Sequence, residues 1–352
     1  MYYKFVYNSY SQDYSLYLAN TQVDSNYILY NGSWSPTAGA NNCTWITTAG
    51  TGAVVLPANC SGMFRSFKIT SMPSNLDFSQ VEDASSMFTL CTELEYAYMQ
   101  SWNWSNKVTN MSRMFWGCQS LKEINASGWN VSHVTNFSGM FGYTGTIPTT
   151  SLQSINCSNW DTSSATDMSQ MFMMCKKLDW VTGLNNFKTD NVLTFENFMY
   201  ACQSLTTVSC RNWNVSKCKN FSGMFNDCNS LTELDLKYWV LNHNEKINFN
   251  SMFISCSSLE TIFVGKDPDW REYASDSSLM FSGCKKLPNY NSNNVDINKA
   301  YPKEWTGGYF TFLDEWLSGT WYIKDSEGNW LQSTLYLINS EGWTADTIYM
   351  RV

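Results

Sequence analysis

The chain has 352 residues, of which 16% are aromatic and only 15% are charged, and its formal net charge at pH 7 is −8. This aromatic content, together with abundant Asn, Ser and Thr, excludes a disordered chain. A pI near 4.8 without a block of Lys and Arg predicts no nucleic-acid partner, and the absence of a long apolar run predicts a soluble chain without membrane insertion.

Residues 1–58 are predicted to form a β-rich N-terminal cap or attachment segment. Tyr and Asn are frequent there, and the short stretch 27–30 ends at the turn-forming pair Asn31-Gly32. A solenoid needs atypical units at its ends, because a bare terminal coil exposes its core and its strand edges. Attachment to a larger assembly is the alternative role for such a segment.

A repeat dominates residues 59–295. Successive Met-Phe pairs are spaced by 24, 27, 26, 31, 27, 26, 28 and 28 residues, which is the unit length of leucine-rich repeats. The pairs begin at Met63, Met87, Met114, Met140, Met171, Met224, Met252 and Met280, and the order is reversed at Phe198-Met199. This regularity predicts a solenoid of stacked coils.

Three further columns keep step with the Met-Phe pair. The first is a cysteine column of Cys91, Cys118, Cys175, Cys202, Cys228, Cys256 and Cys284. The second is a leucine column of Leu94, Leu121, Leu178, Leu205, Leu231, Leu259 and Leu287. The third is an aromatic column of Trp102, Trp129, Trp160, Phe187, Trp213 and Trp239. Each column is expected to line the dry interior.

Each unit is predicted to contain one strand and one helical turn. The stretch 121–126 alternates as a strand does, whereas Val134, Phe137 and Met140 recur at the spacing of a short α- or 3₁₀-helix. Helix N-caps are expected at Asn110, Asn136, Asp167 and Asn220. The predicted fold is therefore an α/β repeat, a leucine-rich-repeat-like solenoid with short parallel strands and short helical or 3₁₀ turns, flanked by β-rich terminal segments.

Residues 296–352 are predicted to form a β-rich C-terminal cap or small domain. The stretch 319–324 reads as a strand, 325–329 as a turn and 330–338 as a second strand. This is the pattern of a β-hairpin.

The unit Met-Phe-x-x-Cys-x-x-Leu-x-x-Ile, followed by Trp-Asn-Val-Ser-x-Val-Thr-Asn-Met-Ser, resembles the BspA-type leucine-rich repeats of bacterial surface proteins. The variant found in mycoplasma and Listeria surface lipoproteins is the most similar, and the likeness covers about two-thirds of the chain. The unit at Met140 departs from it, lacking the Cys and carrying an insertion at 143–151, and the unit at Met252 lacks Asn-Val-Ser. The lipoprotein signal of such relatives is also absent.

The cysteines are predicted to be buried free thiols that act as small apolar side chains. Stacked neighbours would lie about 4.8 Å apart, longer than the roughly 3.8 Å between Cβ atoms of a disulfide. The chain has no Cys-x-x-Cys and only two histidines, so neither a metal nor a cofactor is expected. Motifs of nucleophilic or nucleotide-binding enzymes are missing, and the protein is predicted not to be an enzyme.

The outward face of the predicted parallel sheet is the candidate binding surface, because its residues vary from coil to coil while the core columns do not. Exposed aromatic side chains are the expected anchors, since they dominate hot spots and stack on sugars. The candidate residues are Tyr96, Tyr98, Glu123, Asn125, Trp180, Thr182, Arg211, Glu233, Asp235, Lys237 and Phe263. A merely solvated face is the alternative.

Several functional hypotheses follow from this surface. The leading one is an adhesion module that binds a surface protein or glycan. Because the chain starts at Met1 without an export signal, a bacteriophage fibre, tail or decoration protein at the virion surface is favoured, with contacts to other virion proteins. The alternatives are a structural spacer, a bacterial cell-surface adhesin, and a glycosidase using Glu233 and Asp235.

Overall fold

A computed structural model describes residues 1–23, 28–30, 42–49, 52–97, 102–143, 151–242, 244–265, 268–303, 307–312, 317–324 and 330–337. The repeat region is a parallel β-solenoid of about eight turns. No helix in the described residues is long and apolar enough to cross a lipid bilayer.

A four-stranded sheet begins the chain. Its strands are β1 (Tyr2–Asn8), β2 (Asp13–Ala19), β3 (Ile28–Leu29) and β4 (Cys43–Thr48), in the order β3-β1-β2-β4. Tyr3, Leu16 and Ile46 lie on the buried side of the sheet, and the Phe5 ring lies 6.3 Å from that of Phe67 in the first coil. The sheet therefore shares one apolar core with the solenoid.

The solenoid strands are short and mostly parallel. In chain order they are β5 (Val54–Val55), β6 (Leu76–Asp77), β7 (Tyr96–Ala97), β8 (Glu123–Asn125), β9 (Ser154–Asn156), β10 (Trp180–Thr182), β11 (Thr207–Val208), β12 (Glu233–Asp235), β13 (Ile247–Asn248), β14 (Thr261–Val264), β15 (Ala274–Asp276) and β16 (Thr311–Phe312). Strands β7 to β10 form one sheet, and β11, β12, β14 and β16 form another. All pairs in both sheets are parallel.

A second ladder runs along the coils at the position where helix N-caps were expected. Its members form parallel bridges from Asn59 to Asn248. Each side-chain oxygen accepts the backbone N–H two residues on, as in Asn110 to Ser112 at 3.0 Å and Asp167 to Ser169 at 2.8 Å. The Asn and Asp residues close Asx turns, and Thr194 closes the equivalent turn with its hydroxyl, so the recurring Asn-x-Ser pattern is the signature of a turn. The N-cap prediction was wrong.

The Met-Phe segments are turns and not helices, which corrects the α/β assignment. The residue before every Met-Phe pair has a φ between 52° and 62°, in the left-handed region. Its N–H can therefore point to the next coil, as Ser86 donates to Ser112 at 2.8 Å and Gly223 to Asn250 at 2.9 Å. An α-helix needs consecutive right-handed residues with internal bonds, so the coil-to-coil bonds exclude it. The described residues contain no α-helix; 3₁₀ pieces occur at Leu184–Asn186 and Ile297–Lys299.

Stacked rings fill the interior. One ladder has centroid separations of 5.9–6.4 Å and interplanar angles of 6–19°. Its rings are Trp102, Trp129, Trp160, Phe187, Trp213, Trp239 and Trp270. The Phe residues of the Met-Phe pairs stack in a second ladder, which is interrupted by an edge-on contact of 85° between Phe172 and Phe198. The reversed Phe198-Met199 pair explains the interruption, because a Met occupies the ring position in that coil.

All twelve cysteines are free and buried, as predicted. The seven thiols of the cysteine column each donate to a carbonyl of the preceding coil, as Cys91 does to Phe64 at 3.0 Å and Cys284 to Phe253 at 2.9 Å. Each position of the column thus requires a small apolar side chain that also carries a hydrogen-bond donor. Cysteine meets both requirements.

Both ends of the stack are covered. At the C-terminal end, the rings of Tyr309 and Phe310 lie edge-on to Phe281 at 5.3 and 6.0 Å. Beyond them, β17 (Leu317–Lys324) and β18 (Trp330–Leu337) pair in antiparallel fashion, which confirms the predicted hairpin; its turn lies outside the described residues.

Gly183 lies between β10 and the 3₁₀ piece Leu184–Asn186 and is expected to tolerate no side chain. Its φ is +91°, and an added Cβ would lie 2.6 Å from the Cα of Ser158 and 2.7 Å from the carbonyl carbon of Cys157. Gly183→Ala should therefore lower the free energy of unfolding by about 2–3 kcal/mol, measured by urea titration. Gly62→Ala is the control, since Gly62 has φ +61° but no described atom within 4 Å of an added Cβ; its loss should be about 1 kcal/mol. Equal losses would contradict the steric argument.

Candidate functional site

The outward face of β7 to β10 contains one continuous row of side chains. Tyr96 pairs with Glu123, Glu123 with Ser154, and Ser154 with Trp180. Because the strands are parallel and in register, these four residues point to the same side. The row crosses four coils along the solenoid axis.

Aromatic side chains stand at both ends of this row. Tyr96 is 47% exposed and Trp180 is 57% exposed. The ammonium group of Lys122 lies 5.6 Å from the Tyr96 ring centroid and 3.5 Å from the carboxylate of Glu95. Two large aromatic side chains are thus exposed to solvent on the face of a sheet, where a ligand could cover them.

A second outward row lies beside the first and is polar. Asn125 pairs with Asn156, and Asn156 with Thr182. The Oδ1 atom of Asn125 accepts from the backbone N–H of Ser127 at 3.2 Å, and that of Asn156 accepts from Ser158 at 3.1 Å. Both amides are oriented by these Asx turns, with their oxygen already engaged.

The remaining candidates lie on the second sheet and do not join this row. Glu233 is exposed on β12 beside Thr207 and Thr261, and Phe263 is half-buried beside Asp235. Thr182 on β10 and Thr207 on β11 belong to different hydrogen-bonded sheets. The predicted surface is therefore divided in two, and Tyr98 lies outside the described residues.

Arg211, Asp235 and Lys237 form a local cluster around Tyr238. The Arg211 guanidinium lies 4.8 Å from the Tyr238 ring centroid, and its Nε lies 3.4 Å from Asp235 Oδ2. Lys237 was predicted to face outward, but only 6% of it is exposed. Its backbone N–H donates to Asp235 Oδ1 at 3.0 Å, and this turn carries Lys237 off the strand alternation. Asp235 is thus held by a turn and an ion pair.

Comparison with protein families shows where this chain belongs. The family described as "Mycoplasma protein of unknown function, DUF285" matches residues 58–156 and 145–266, which together span more than half of the chain. The chain belongs to the DUF285 family. Searches of curated proteins and of solved structures returned no match.

The two segments matched by the DUF285 family contain the whole sheet of β7 to β10. Tyr96, Glu123, Ser154 and Trp180 all fall inside them, as do Arg211 and Glu233 on the second sheet. The last Met-Phe pair, at Met280, follows the matched region. The family description includes mycoplasmas, in agreement with the repeat resemblance noted in the sequence.

The described residues of this DUF285 solenoid contain no cluster of metal ligands, and their cysteines are buried. Within the described ranges, no three His, Cys, Asp or Glu side chains are grouped to hold a metal ion. Burial raises the pKa of the Cys91 thiol to about 12 and that of Cys228 to about 12. A thiol that stays protonated is a poor nucleophile and a poor metal ligand.

Three features of the molecule were not predicted from the sequence. Lys122 lies beside the Tyr96 ring, although it was not among the candidate binding residues. Trp45 is 55% exposed on the N-terminal sheet. Trp270 completes the ring ladder, although it follows its Met-Phe pair by 18 residues where the preceding unit has 15; allowing insertions in the repeat would have found it.

Proposed function

We propose that this chain is a non-enzymatic recognition module that binds a protein or glycan of a biological surface through the outward face of β7 to β10. The observation that carries the proposal is the pair of exposed aromatic side chains, Tyr96 and Trp180, at the ends of one in-register row. The face is named the β7–β10 face below.

Physical reasoning supports this assignment. A ring that a ligand covers loses contact with water and gains packing, and aromatic residues dominate the binding energy of many interfaces. The opposite side of the sheet is anchored in the core by Ile124 and Ile155, which are 2% and 1% exposed. A rigid face loses little conformational entropy on binding, and this preorganisation favours affinity.

The place of display is part of the proposal. The repeat's resemblance to BspA-type surface proteins favours an exposed location, on a virion in the first instance and on a bacterial cell in the alternative. Gold-labelled antibodies against the chain, applied to intact cells and to purified particles, should label one of these two surfaces. Label confined to the cell interior would contradict surface display.

The β7–β10 face can be tested by substitution. Tyr96→Ala and Trp180→Ala should each weaken adsorption of the labelled chain to a panel of bacterial cells or to a glycan array by about tenfold. Both should leave the free energy of unfolding nearly unchanged, because the rings are exposed. Trp45→Ala is the matched control, since it removes an equally exposed Trp from the N-terminal sheet.

Two outcomes would reject the proposal. One is equal adsorption of wild type, Tyr96→Ala and Trp180→Ala; the other is no adsorption of the wild type to any target. Either result would favour the structural-spacer hypothesis. Burial of the β7–β10 face against other subunits in the native assembly would then be expected.

A further inference from the structure

We infer that the ligand of the β7–β10 face is a linear, uncharged polysaccharide that lies along the solenoid axis, with one sugar residue over each coil. This inference rests on the proposed function and adds the chemical class and direction of the ligand. Four features of the described residues lead to it.

The first feature is the spacing. Adjacent parallel strands lie about 4.8 Å apart, so Tyr96 and Trp180 are separated by three such steps, about 14 Å. A pyranose ring in an extended chain advances by a length close to one strand spacing. A ligand with the same period as the coils can therefore repeat its contacts from β7 to β10.

The second feature is the order of side chains along the face. The two outer coils present the rings of Tyr96 and Trp180, whereas the two central coils present only polar residues: Glu123 and Ser154 in the same row, and Asn125 and Asn156 in the second row. Aromatic faces stack on the C–H face of a sugar. Protein hot spots instead gather in a contiguous, desolvated centre, and here polar coils separate the two aromatic anchors.

The third feature is the fixed orientation of the central amides. Asn125 Oδ1 also accepts from the hydroxyl of Ser127 at 2.9 Å, and Asn156 Oδ1 from that of Ser158 at 2.5 Å. Among the described residues, neither Nδ2 group has an acceptor. Two amide donors thus repeat at the coil spacing, and sugar hydroxyl and ring oxygens are suitable acceptors.

The fourth feature is charge. Lys122 is paired with Glu95 at 3.5 Å, and Glu123 is an exposed carboxylate on the row itself. The whole chain carries a net charge of −8. A polyanionic glycan would be repelled, so the face favours a neutral polymer with hydroxyl groups.

Protease treatment of the target distinguishes a glycan from a protein whichever sugar the glycan contains, and should leave adsorption of the wild-type chain intact. Mild periodate, which cleaves vicinal diols, should abolish adsorption to a glycan whose sugars carry such diols. The reverse pattern would overturn this inference while the proposed function stands. Loss of the proposed function itself would appear separately, as normal adsorption of Tyr96→Ala and Trp180→Ala.

Length and amide dependence test the arrangement. Neutral fragments released from the target should bind about tenfold more tightly with four sugar residues than with two in calorimetry, and longer fragments should gain little. Asn156→Asp keeps the turn acceptor but removes the Nδ2 donor, and should weaken binding of the four-residue fragment about tenfold. Asn136→Asp is the matched control, because Asp occupies the same turn column at Asp83 and Asp167. The inference would be overturned if affinity did not depend on fragment length, or if Asn156→Asp bound the four-residue fragment as tightly as the wild type does.

Discussion

Raising the pH from about 8 to about 10.5 is expected to unfold the solenoid steeply, in the presence of a reductant. Burial raises the pKa of ten of the twelve cysteines, to about 11 for Cys43 and about 12 for Cys60 and Cys218. The thiols with raised pKa values also include Cys91, Cys118, Cys157, Cys202, Cys210, Cys228 and Cys256. Desolvation of the thiolate is the largest cause in each case.

The sign of the effect follows from proton binding. In the unfolded chain a thiol ionises near its ordinary pKa of about 8.5, whereas in the folded chain it keeps its proton to a much higher pH. Stability from each thiol is complete below the unfolded pKa and declines as the pH rises toward the folded pKa. In this pH range each thiol lowers the free energy of unfolding by about 1.4 kcal/mol per pH unit, and the contributions of ten thiols have the same sign.

The urea midpoint at a series of pH values measures this loss. In a variant with Cys91, Cys118 and Cys228 changed to Ala, the free energy of unfolding should fall less steeply with pH, by about 4 kcal/mol per pH unit. Its stability at neutral pH should be lower, because a donor and some packing are lost. A midpoint that stays constant up to about pH 10.5, or equal slopes for the two proteins, would contradict the predicted burial of neutral thiols.

Replacing Trp213 with Ala is expected to cost about 3–5 kcal/mol of unfolding free energy. The indole is 1% exposed and lies between Phe187 and Trp239, both at 6.4 Å. Its Nε1 donates to the carbonyl of Leu184 at 2.9 Å. The substitution opens a cavity in the middle of the ring ladder and removes the indole donor from that carbonyl, which still accepts from the backbone N–H of Phe187 at 3.2 Å, for a further loss of up to about 1 kcal/mol.

Two variants separate these contributions in urea titrations followed by circular dichroism. Trp213→Phe keeps a ring in the ladder but removes the donor, so it should lose less than Trp213→Ala. Trp180→Ala removes an indole that is 57% exposed and should change stability by less than about 0.5 kcal/mol. If Trp213→Ala and Trp180→Ala unfolded at the same urea concentration, the ring ladder would not be a stabilising element.

The site was partly predictable from the same alternation as the strands. Tyr96, Glu123 and Trp180 each lie two residues after a leucine of the leucine column, and alternation along the strand was used to place them on the outward face. The structure brings them into one row. Lys237 was misplaced, since an Asx turn at Asp235 ends the alternation there. The division of the sheet between β10 and β11 also escaped prediction, because strand pairing depends on residues that lie a whole coil apart in the sequence.

The repeat period, the inward columns and the burial of the cysteines were determined by sequence alone. Apolar residues that recur every 24 to 31 positions can leave water together only by stacking. The path of each coil was decided by tertiary structure. The spacing of Val134, Phe137 and Met140 suits a helix as well as a turn. In a segment this short, internal hydrogen bonds stabilise a helix too little to determine which of the two forms. Hydrogen bonds from left-handed residues such as Ser86 to the next coil favour the turn, and those partners exist only once the coils are stacked.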